Sequence, residues 1–215
     1  MVELFKNCTG DYYCTLPITL LTRKRADANQ ASPEMAKTKG KRFAVLQEPD
    51  THTKINVGLM KEITGGDTIS TRQLYQESFE FKPKFKPLLT CNKLPKLPPD
   101  DEAVWRRVRV VNFTSKFVDH PTLPNEYKKD KDLSEKIPIW KEAFMWILIQ
   151  YYKKYLKYGI EEPDAVVAFT KKYQYEQDHL NTYVNEQIIV TKNNNDFVMI
   201  QKLYSHYKCW FTTNY

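Results

Sequence analysis

The sequence predicts an α/β fold: a parallel sheet core with an inserted β-hairpin, followed by a mostly helical C-terminal segment. Two short apolar runs, Phe43–Gln47 and Leu88–Cys91, are continuous and end at turn-forming or polar residues, as buried strands of parallel sheets do. Helical periodicity separates these runs and dominates the chain after Ser115. Strands that alternate with helices favour a layered α/β domain.

The elements before the first apolar run are predicted to be short. Met1–Phe5 has the character of a helix end, and Thr15–Leu21 is predicted as a strand limited by Pro17. The triplet Ser32-Pro33-Glu34 supplies an N-cap, a first-turn proline and an early acidic residue. A short helix is therefore predicted over Pro33–Lys39.

A helix and a hairpin are predicted between the two apolar runs. Asn56–Thr64 carries apolar residues at helical spacing and stops at the glycine pair Gly65-Gly66. Asp67–Phe85 mixes polar, β-branched and aromatic residues, which is typical of a hairpin. Beyond the second run, Arg107–Val110 alternates basic and apolar residues and is predicted as a third strand.

The C-terminal segment is predicted to consist of helices. Apolar and aromatic residues between Trp140 and Tyr155 recur at helical spacing, and Gly159 marks the end of that helix. A second helix is predicted from Pro163 toward Leu180, and a third after Asp196, which is interpreted as its N-cap.

The composition favours a polyanionic partner and a cytoplasmic location. The chain has 215 residues, 41% of them hydrophobic, and carries 33 Lys and Arg against 26 Asp and Glu, a net charge of +7. This excess favours nucleic acid, although a solvated basic surface is an equal alternative. The cysteines form no C-x-x-C pair, no signal peptide is evident and no apolar stretch is long enough for a membrane span. They are Cys8, Cys14, Cys91 and Cys209.

Polar residues follow both apolar runs, at the positions where an α/β sheet places its catalytic groups. Glu48 ends the first strand and Asn92 the second, and ligands of such sheets bind at the carboxyl ends of the strands. Glu48 or Asp50 would hold Mg²⁺, while Glu48 and Asn92 would position an attacking water and the γ-phosphate of ATP. The alternative is that each is an ordinary surface or N-capping residue.

The pair Arg106-Arg107 precedes the predicted third strand. Adjacent residues on an extended segment point in opposite directions, so one of the two would face a given site. An arginine supplied to a neighbouring subunit stabilises the charge of phosphoryl transfer. We favour Arg107, because Val108 beside it is predicted to face inward. The alternative is a surface pair in a basic protein.

Four motifs stand in a fixed order along the chain. They are Arg42-Phe43-Ala44-Val45-Leu46-Gln47-Glu48-Pro49, Leu59-Met60-Lys61-Glu62-Ile63-Thr64-Gly65-Gly66-Asp67, Leu89-Thr90-Cys91-Asn92 and Trp105-Arg106-Arg107-Val108. The series resembles the superfamily-three helicase domain of phage and plasmid primases and of the primase-helicases of large DNA viruses. It is similar to that family's Walker B strand, B-prime motif, sensor-one strand and arginine-finger segment. The resemblance covers roughly Gly10 to Asp119, about half of the chain.

The resemblance implies an AAA+-like ATPase core. Residues 1–118 would be a partial core that runs from Walker B to the arginine finger, and residues 119–215 a helical lid and the start of a small C-terminal domain. ATP and Mg²⁺ would be the cofactors of the intact protein. Glu48, Asn92, Arg106 and Arg107 would be catalytic, with Glu48 as the metal ligand and Asp50 also contacting the cofactor.

The resemblance also places a DNA-binding hairpin at about Asp67 to Lys86. Arg72 would contact a phosphate near the hairpin, and Tyr75 would stack on a base without sequence preference. Lys82, Lys84 and Lys86 would add positive charge. For Tyr75 and Phe79 the alternative is cross-strand packing. The implied partner is single-stranded DNA, bound independently of sequence.

The sequence departs from the family pattern at two places. It contains no G-x-x-x-x-G-K-[ST] motif; the stretch Lys39–Arg42 lacks the leading glycine and the hydroxyl residue. We expect the phosphate-binding loop to lie before Met1, with the chain starting inside the following helix. Gln47 stands where many such ATPases carry their first acidic residue, which leaves the division of roles between Glu48 and Asp50 open.

The function that the sequence predicts is the C-terminal portion of an ATP-dependent DNA helicase of viral or plasmid replication, hexameric when intact. The alternative is a non-enzymatic nucleic-acid-binding or ring-assembly fragment of a split or decayed helicase. A third interpretation, an unrelated α/β protein with chance motifs, predicts that Glu48 and Asn92 do not converge.

Overall fold

The described residues of the computed structural model form two compact units. The description covers residues 1–23, 31–47, 54–191, 193 and 195–215. The first unit consists of Met1–Lys96 and Asn112–Pro163, and the second of Leu97–Val111 and Asp164–Tyr215. This division differs from the domains predicted from the sequence, residues 1–118 and 119–215, which stay a prediction.

Short strands and helices alternate in the first half of the chain, and helices dominate the second half. The helices are α1 (Val2–Thr9), α2 (Thr19–Thr22), α3 (Pro33–Ala36), α4 (Val57–Gly65), α5 (Glu102–Trp105), α6 (Leu133–Tyr158), α7 (Asp164–Gln177), α8 (His179–Gln187) and α9 (Ile200–Asn214). The strands are β1 (Tyr13–Leu16), β2 (Phe43–Gln47), β3 (Ile69–Arg72), β4 (Ser78–Phe81), β5 (Lys86–Thr90), β6 (Lys116–Val118) and β7 (Glu126–Lys128).

A parallel sheet with the strand order β1–β2–β5 forms the core of the first unit. Within it, Phe43 of β2 pairs with Lys86 of β5, and Gln47 pairs with Thr90. Three consecutive side chains of β2 are fully buried, as expected for a central strand covered on both faces: Ala44, Val45 and Leu46. The predicted α/β fold is confirmed, and so is the parallel pairing of its two apolar runs.

Strand β1 ends earlier than the sequence indicated. The prediction extended it to Leu21, but the strand stops at Leu16 and Leu20 lies in helix α2. Pro17 has no N–H group to continue the ladder, and its carbonyl oxygen instead accepts a hydrogen bond of 3.0 Å from the N–H of Leu20. The proline therefore turns the chain into a helix.

Helix α1 lies between the sheet and the long helix α6. The ring of Phe5 stacks on Phe43 of β2 at 4.7 Å and meets Phe144 of α6 edge-on at 5.0 Å. The Cys8 thiol also donates a hydrogen bond of 3.5 Å to the carbonyl oxygen of Lys141.

Over the described ranges, no helix combines the length and the apolar character that crossing a bilayer requires.

The second unit has an aromatic core. Trp105 of α5 meets Tyr173 of α7 edge-on at 5.3 Å, and its indole N–H donates to the carbonyl oxygen of Pro98 at 2.9 Å. Tyr183 of α8 is buried, and its hydroxyl lies 2.9 Å from His206 Nδ1 of α9.

The predicted cap at Asp196 is wrong, since α9 begins four residues later with Met199 at the N-cap position.

The third strand that was predicted for Arg107–Val110 is also wrong. Residues 106–115, all of them described, contain no strand. The Asp101 carboxylate accepts a hydrogen bond of 3.3 Å from the N–H of Val104, which starts helix α5. The N–H groups of Arg107 and Val108 then both donate to the carbonyl oxygen of Val104. The helical turn therefore continues through the arginine pair.

Candidate nucleotide and nucleic-acid interface

The carboxyl ends of β2 and β5 lie at the same edge of the sheet. Gln47 and Thr90 are the last paired residues, and the Thr90 hydroxyl donates a hydrogen bond of 3.4 Å to the carbonyl oxygen of Leu46. Farther along, Lys54 and Lys96 form an isolated parallel bridge. The ends of the two strands are therefore neighbours, and the predicted nucleotide site requires strand ends placed in this way.

The structure describes only some of the residues that were predicted to be catalytic at this edge of the sheet. Asn92 lies two residues beyond β5 and is exposed, as is Gln47 at the end of β2. Glu48 and Asp50 lie outside the described residues, so the convergence of Glu48 with Asn92 stays a prediction. Burial raises the pKa of the neighbouring Cys91 thiol, which therefore stays protonated at neutral pH.

The β3–β4 hairpin is inserted in the sequence between these two neighbouring strands and is anchored on one face. Thr71 is buried and donates its hydroxyl to the carbonyl oxygen of Ser32 at 3.2 Å. The Ser32 N–H in turn donates to the carbonyl oxygen of Arg72 at 3.1 Å. On the same face, Lys39 Nζ lies 4.6 Å from the centre of the Phe79 ring. Helix α3 and the turn after it thus fix the hairpin.

Ser32 was predicted only as a helix cap, but in the structure its backbone binds strand β3 of the hairpin. Its side chain makes no capping hydrogen bond; the hydroxyl accepts one of 2.8 Å from Arg23 Nη2. The guanidinium of Arg23 also lies 3.6 Å from the Glu34 carboxylate. The backbone of Ser32 is what holds the hairpin, and no residue pattern in the sequence indicates such an anchor.

The other face and the tip of the hairpin are exposed. Arg72 pairs with Ser78 across the ladder, and the side chains of both are exposed. Tyr75 at the tip is fully exposed, at 103%, and has a φ of 60°. Phe79, by contrast, is half-buried and lies 5.9 Å from Phe81. Phe81 belongs to the same strand, so packing along β4 and against Lys39 accounts for Phe79. The exposed ring of Tyr75 has no such explanation.

A row of lysines continues from β4 into β5. Burial alternates along this segment: Pro83 and Phe85 are buried, while Lys82, Lys84 and Lys86 are exposed. Within the described part of the chain, no ion pair involves these lysines or Arg72. The alternation of lysines with apolar residues was visible in the sequence, and the structure leaves all three cations exposed.

The lysine row also touches the glycine pair that ends α4. Gly66 has a φ of +83°, the left-handed conformation that favours glycine at a helix end. A Cβ atom at this position would lie 3.5 Å from Lys82 Cε. The aliphatic part of the Lys82 side chain therefore lies against Gly66. The glycine pair at the end of α4 is thus next to the exposed lysines that follow the hairpin.

The arginine pair belongs to the second unit. Arg106 is exposed at the end of α5, whereas Arg107 is half-buried and donates a hydrogen bond of 2.6 Å to the carbonyl oxygen of Ala103. On a helical turn the two side chains diverge by about 100°, and not by the 180° of an extended segment. Val108 is only half-buried. The reason for favouring Arg107 therefore disappears.

Together, these elements define an α/β sheet with a cationic hairpin inserted between two neighbouring parallel strands. No protein-family model matches the chain. Several viral proteins are similar to nearly the whole of it. "Putative helicase L207/L206" of Acanthamoeba polyphaga mimivirus is 39% identical over 225 residues, covering 100% of this chain and 23% of that protein. "Putative helicase 022R" of Frog virus 3 is 33% identical, over 98% of this chain and 23% of the relative.

The third of these relatives is "Putative helicase V13" of Sputnik virophage, which is 28% identical over 94% of this chain and 27% of its own length. The chain thus spans about a quarter of the length of the curated relatives it matches. The relatives are proteins of large DNA viruses and a virophage, and all three are named as helicases.

Proposed function

We propose that this chain is part of an ATP-dependent DNA helicase of superfamily three that acts in viral or plasmid DNA replication. The observation that carries the proposal is the hairpin. It lies in the sequence between the paired strands β2 and β5, one face is anchored, and the other presents cations beside an exposed tyrosine. The helicase names of the viral relatives support the same function.

The hairpin residues have the properties that binding of single-stranded DNA requires. Arg72, Lys82 and Lys84 are exposed cations that would pair with phosphates, and such contacts release counterions whatever the sequence. Tyr75 offers an uncovered ring on which a base would stack. Phosphate pairing and stacking are both insensitive to base identity, so the proposed binding is independent of sequence.

The proposed nucleotide site lies at the carboxyl edge of the sheet. Carboxylate and amide oxygens suit a hard cation, and Glu48, with Asp50, would hold Mg²⁺ there. Bound with ATP, this ion would neutralise charge on the phosphates. Glu48 and Asn92 would orient the attacking water and the γ-phosphate, and an arginine from the next subunit of a hexamer would stabilise the developing charge. Arg106 is the better placed of the pair, because it is exposed.

The test of this proposal is the salt dependence of DNA binding by hairpin variants. We expect the chain to bind single-stranded oligonucleotides weakly and with a negative slope of log affinity against log salt. Arg72→Ala should weaken binding to every sequence alike and reduce that slope by about 1, since one phosphate contact is lost. Fluorescence anisotropy titrations at several salt concentrations measure both quantities.

The matched control is Lys171→Ala, which removes an exposed cation from helix α7. It should leave the slope unchanged, although it alters the net charge by the same amount. A clear preference for one base sequence, an affinity insensitive to salt, or equal effects of the two substitutions would each contradict the hairpin as the DNA-binding element.

A second candidate is a non-enzymatic nucleic-acid-binding or ring-assembly module. It is favoured by the absence of a G-x-x-x-x-G-K-[ST] motif from the sequence, because such a loop cradles the β- and γ-phosphates. Whether an upstream reading frame encodes that motif separates the two candidates. Its presence supports the ATPase, and its absence leaves a module that binds DNA through the hairpin.

A further inference from the structure

Basic residues are concentrated at the amino edge of the parallel sheet, the edge opposite to the proposed nucleotide site. All three strands begin there in register, since Phe43 pairs with both Tyr13 and Lys86. Residues 37–42, which we call the basic loop, lead into β2 and have the sequence Lys-Thr-Lys-Gly-Lys-Arg. Four of these six residues are cationic and none is acidic, so the loop brings a local excess of positive charge to this edge.

Backbone bonds hold the end of the basic loop in place. The N–H of Arg42 donates a hydrogen bond of 2.8 Å to the carbonyl oxygen of Tyr12, and its own carbonyl oxygen accepts one of 2.9 Å from the N–H of Lys86. Lys41 Nζ donates to the carbonyl oxygen of Asp11 at 2.6 Å. These bonds use the ammonium of Lys41 but not the guanidinium of Arg42, which is therefore free to contact another molecule.

An arginine and an aromatic ring are exposed together at this edge. Arg42 is exposed, and the carbon of its guanidinium lies 5.8 Å from the centre of the Tyr12 ring, which is 57% exposed. Asp11 is exposed in the same turn as Tyr12 and offsets one of the positive charges. Among the residues that the structure describes, no ion pair involves Arg42 or Lys39. The pair thus offers a phosphate contact beside a stacking surface.

The basic loop is next to the hairpin and to the lysines that follow it. Lys39 Nζ lies over the ring of Phe79 in β4, 4.6 Å from its centre. At its other end the loop is bonded through Arg42 to Lys86, the last of the exposed lysines after the hairpin. The cations of the loop therefore extend the cationic surface of the hairpin to the amino edge of the sheet.

We propose that Arg42 and Tyr12 form a second contact for single-stranded nucleic acid, at the amino edge of the sheet. This contact rests on the proposed function, because it extends the binding site on the hairpin. Arg42 would pair with a phosphate and Tyr12 would stack on a base, so binding there is also independent of sequence. A strand has to be long enough to pass from Tyr75 to the basic loop before it uses both contacts.

The length of the oligonucleotide separates the two contacts. Fluorescence anisotropy is measured with thymidine oligonucleotides of about 4 and about 16 nucleotides, the range of sizes that single-strand sites accept. Arg42→Ala should weaken binding of the longer strand more than that of the shorter one, and should reduce the salt slope of the longer strand by about 1. Tyr12→Ala should weaken binding of the longer strand about fivefold or more and leave its slope unchanged, since a stacked base but no phosphate contact is lost.

Two control variants keep either the contact or the net charge under control. Arg42→Lys retains the cation, and Lys171→Ala removes a cation from helix α7, so both should leave the salt slope close to that of the unaltered chain. Thermal unfolding shows whether Arg42→Ala keeps its fold, which is expected because the backbone of Arg42 makes its hydrogen bonds. Tyr12→Ala gives an independent reading at the same edge.

The outcomes distinguish this contact from the hairpin. If Arg72→Ala weakens binding while Arg42→Ala and Tyr12→Ala behave like Lys171→Ala, the second contact is overturned and the hairpin stands. Equal losses for the two strand lengths would also overturn it, because one strand would then not span both contacts. An effect of Arg42→Ala with none of Arg72→Ala would support the contact at the amino edge and contradict the hairpin instead.

Discussion

Tyr75 holds a backbone conformation that glycine adopts more easily. Its φ of 60° lies in the left-handed region, which costs about 1 kcal/mol for residues with a Cβ atom. We predict that Tyr75→Gly keeps or raises the free energy of unfolding, because that cost disappears. The same change should weaken single-stranded DNA binding by about 1–3 kcal/mol, the contribution of one stacked base. Denaturant titration and fluorescence anisotropy measure the two effects.

Tyr75→Phe is the control for this prediction, since it keeps the ring and the backbone cost while it removes the hydroxyl. Its DNA affinity should stay close to that of the unaltered chain. If Tyr75→Gly left DNA affinity intact, the ring would have no part in binding. Equal losses for the two variants would point to the hydroxyl instead of the ring.

The arginine pair gives a second prediction at the residue level. In a protein in which the phosphate-binding loop is restored, Arg106→Ala should remove ATP hydrolysis and spare ATP binding, since an arginine finger acts on the transition state. Arg107→Ala should mainly lower the free energy of unfolding, because its guanidinium holds the Ala103 carbonyl within α5. Turnover, nucleotide titration and thermal unfolding distinguish the two outcomes.

Mixing subunits is the decisive control for that experiment. An Arg106-deficient subunit combined with a Glu48-deficient one should recover partial activity, because some interfaces then pair an intact site with an intact arginine. Absence of rescue, or turnover that neither arginine variant changes, would leave both as surface or structural charges.

At the level of elements, Asn56 joins α4 to the chain before it. Its side-chain oxygen accepts a hydrogen bond of 3.1 Å from the N–H of Leu59, which caps the helix, and its amide donates to the carbonyl oxygen of Arg23 at 2.9 Å. We predict that Asn56→Ala lowers the free energy of unfolding by about 1–2 kcal/mol, since both bonds are lost. Chemical denaturation monitored by circular dichroism measures the change.

Asn56→Asp serves as the partner variant, because it keeps the capping oxygen but cannot donate to Arg23. Its loss of stability should lie between those of the alanine variant and the unaltered chain. Asn185→Ala, at an exposed position of α8, should cost less than either. An Asn56→Ala protein as stable as the unaltered chain would show that the cap is unimportant.

The elements that local sequence determines were predicted well. Strand β2 was predicted over Phe43–Gln47 because a buried parallel strand is continuously apolar. Helix α4 was predicted from the helical spacing of its apolar residues and from the glycine pair at its end. The predicted third strand is absent because the helical turn that begins at Asp101 continues to Val108, into the segment with strand-like alternation. Strands β6 and β7 were missed because each has three residues, too few to show a period.

For the whole molecule, the prediction concerns ATP. We expect negligible hydrolysis by this chain alone, because its sequence contains no loop that would cradle the β- and γ-phosphates. A phosphate-release assay measures turnover, and calorimetry measures binding. Micromolar affinity for ATP that Glu48→Ala abolishes would contradict this expectation and would show that the chain binds phosphate by other groups.

The edge of the sheet at which the nucleotide site is proposed was predictable from the order of the strands along the chain. Parallel strands bring their carboxyl ends together, so the placement of Gln47 beside Thr90 followed from identifying both strands. The contact that fixes the hairpin could not be predicted from the sequence. Ser32 lies about 40 residues before Arg72 in the sequence, and the bond between their backbones depends on the folded path of the chain. Backbone contacts of this kind carry no side-chain signature.

That anchor has a mechanical consequence. If DNA is pulled along the hairpin, the tension on Arg72 and Tyr75 passes down strand β3 to two hydrogen bonds at one residue, Ser32. The two bonds attach neighbouring residues of the strand, so they would share this tension, and the hairpin would rotate about α3. Movement at the tip would then be delivered to the segment that leads directly into β2, the central strand of the sheet.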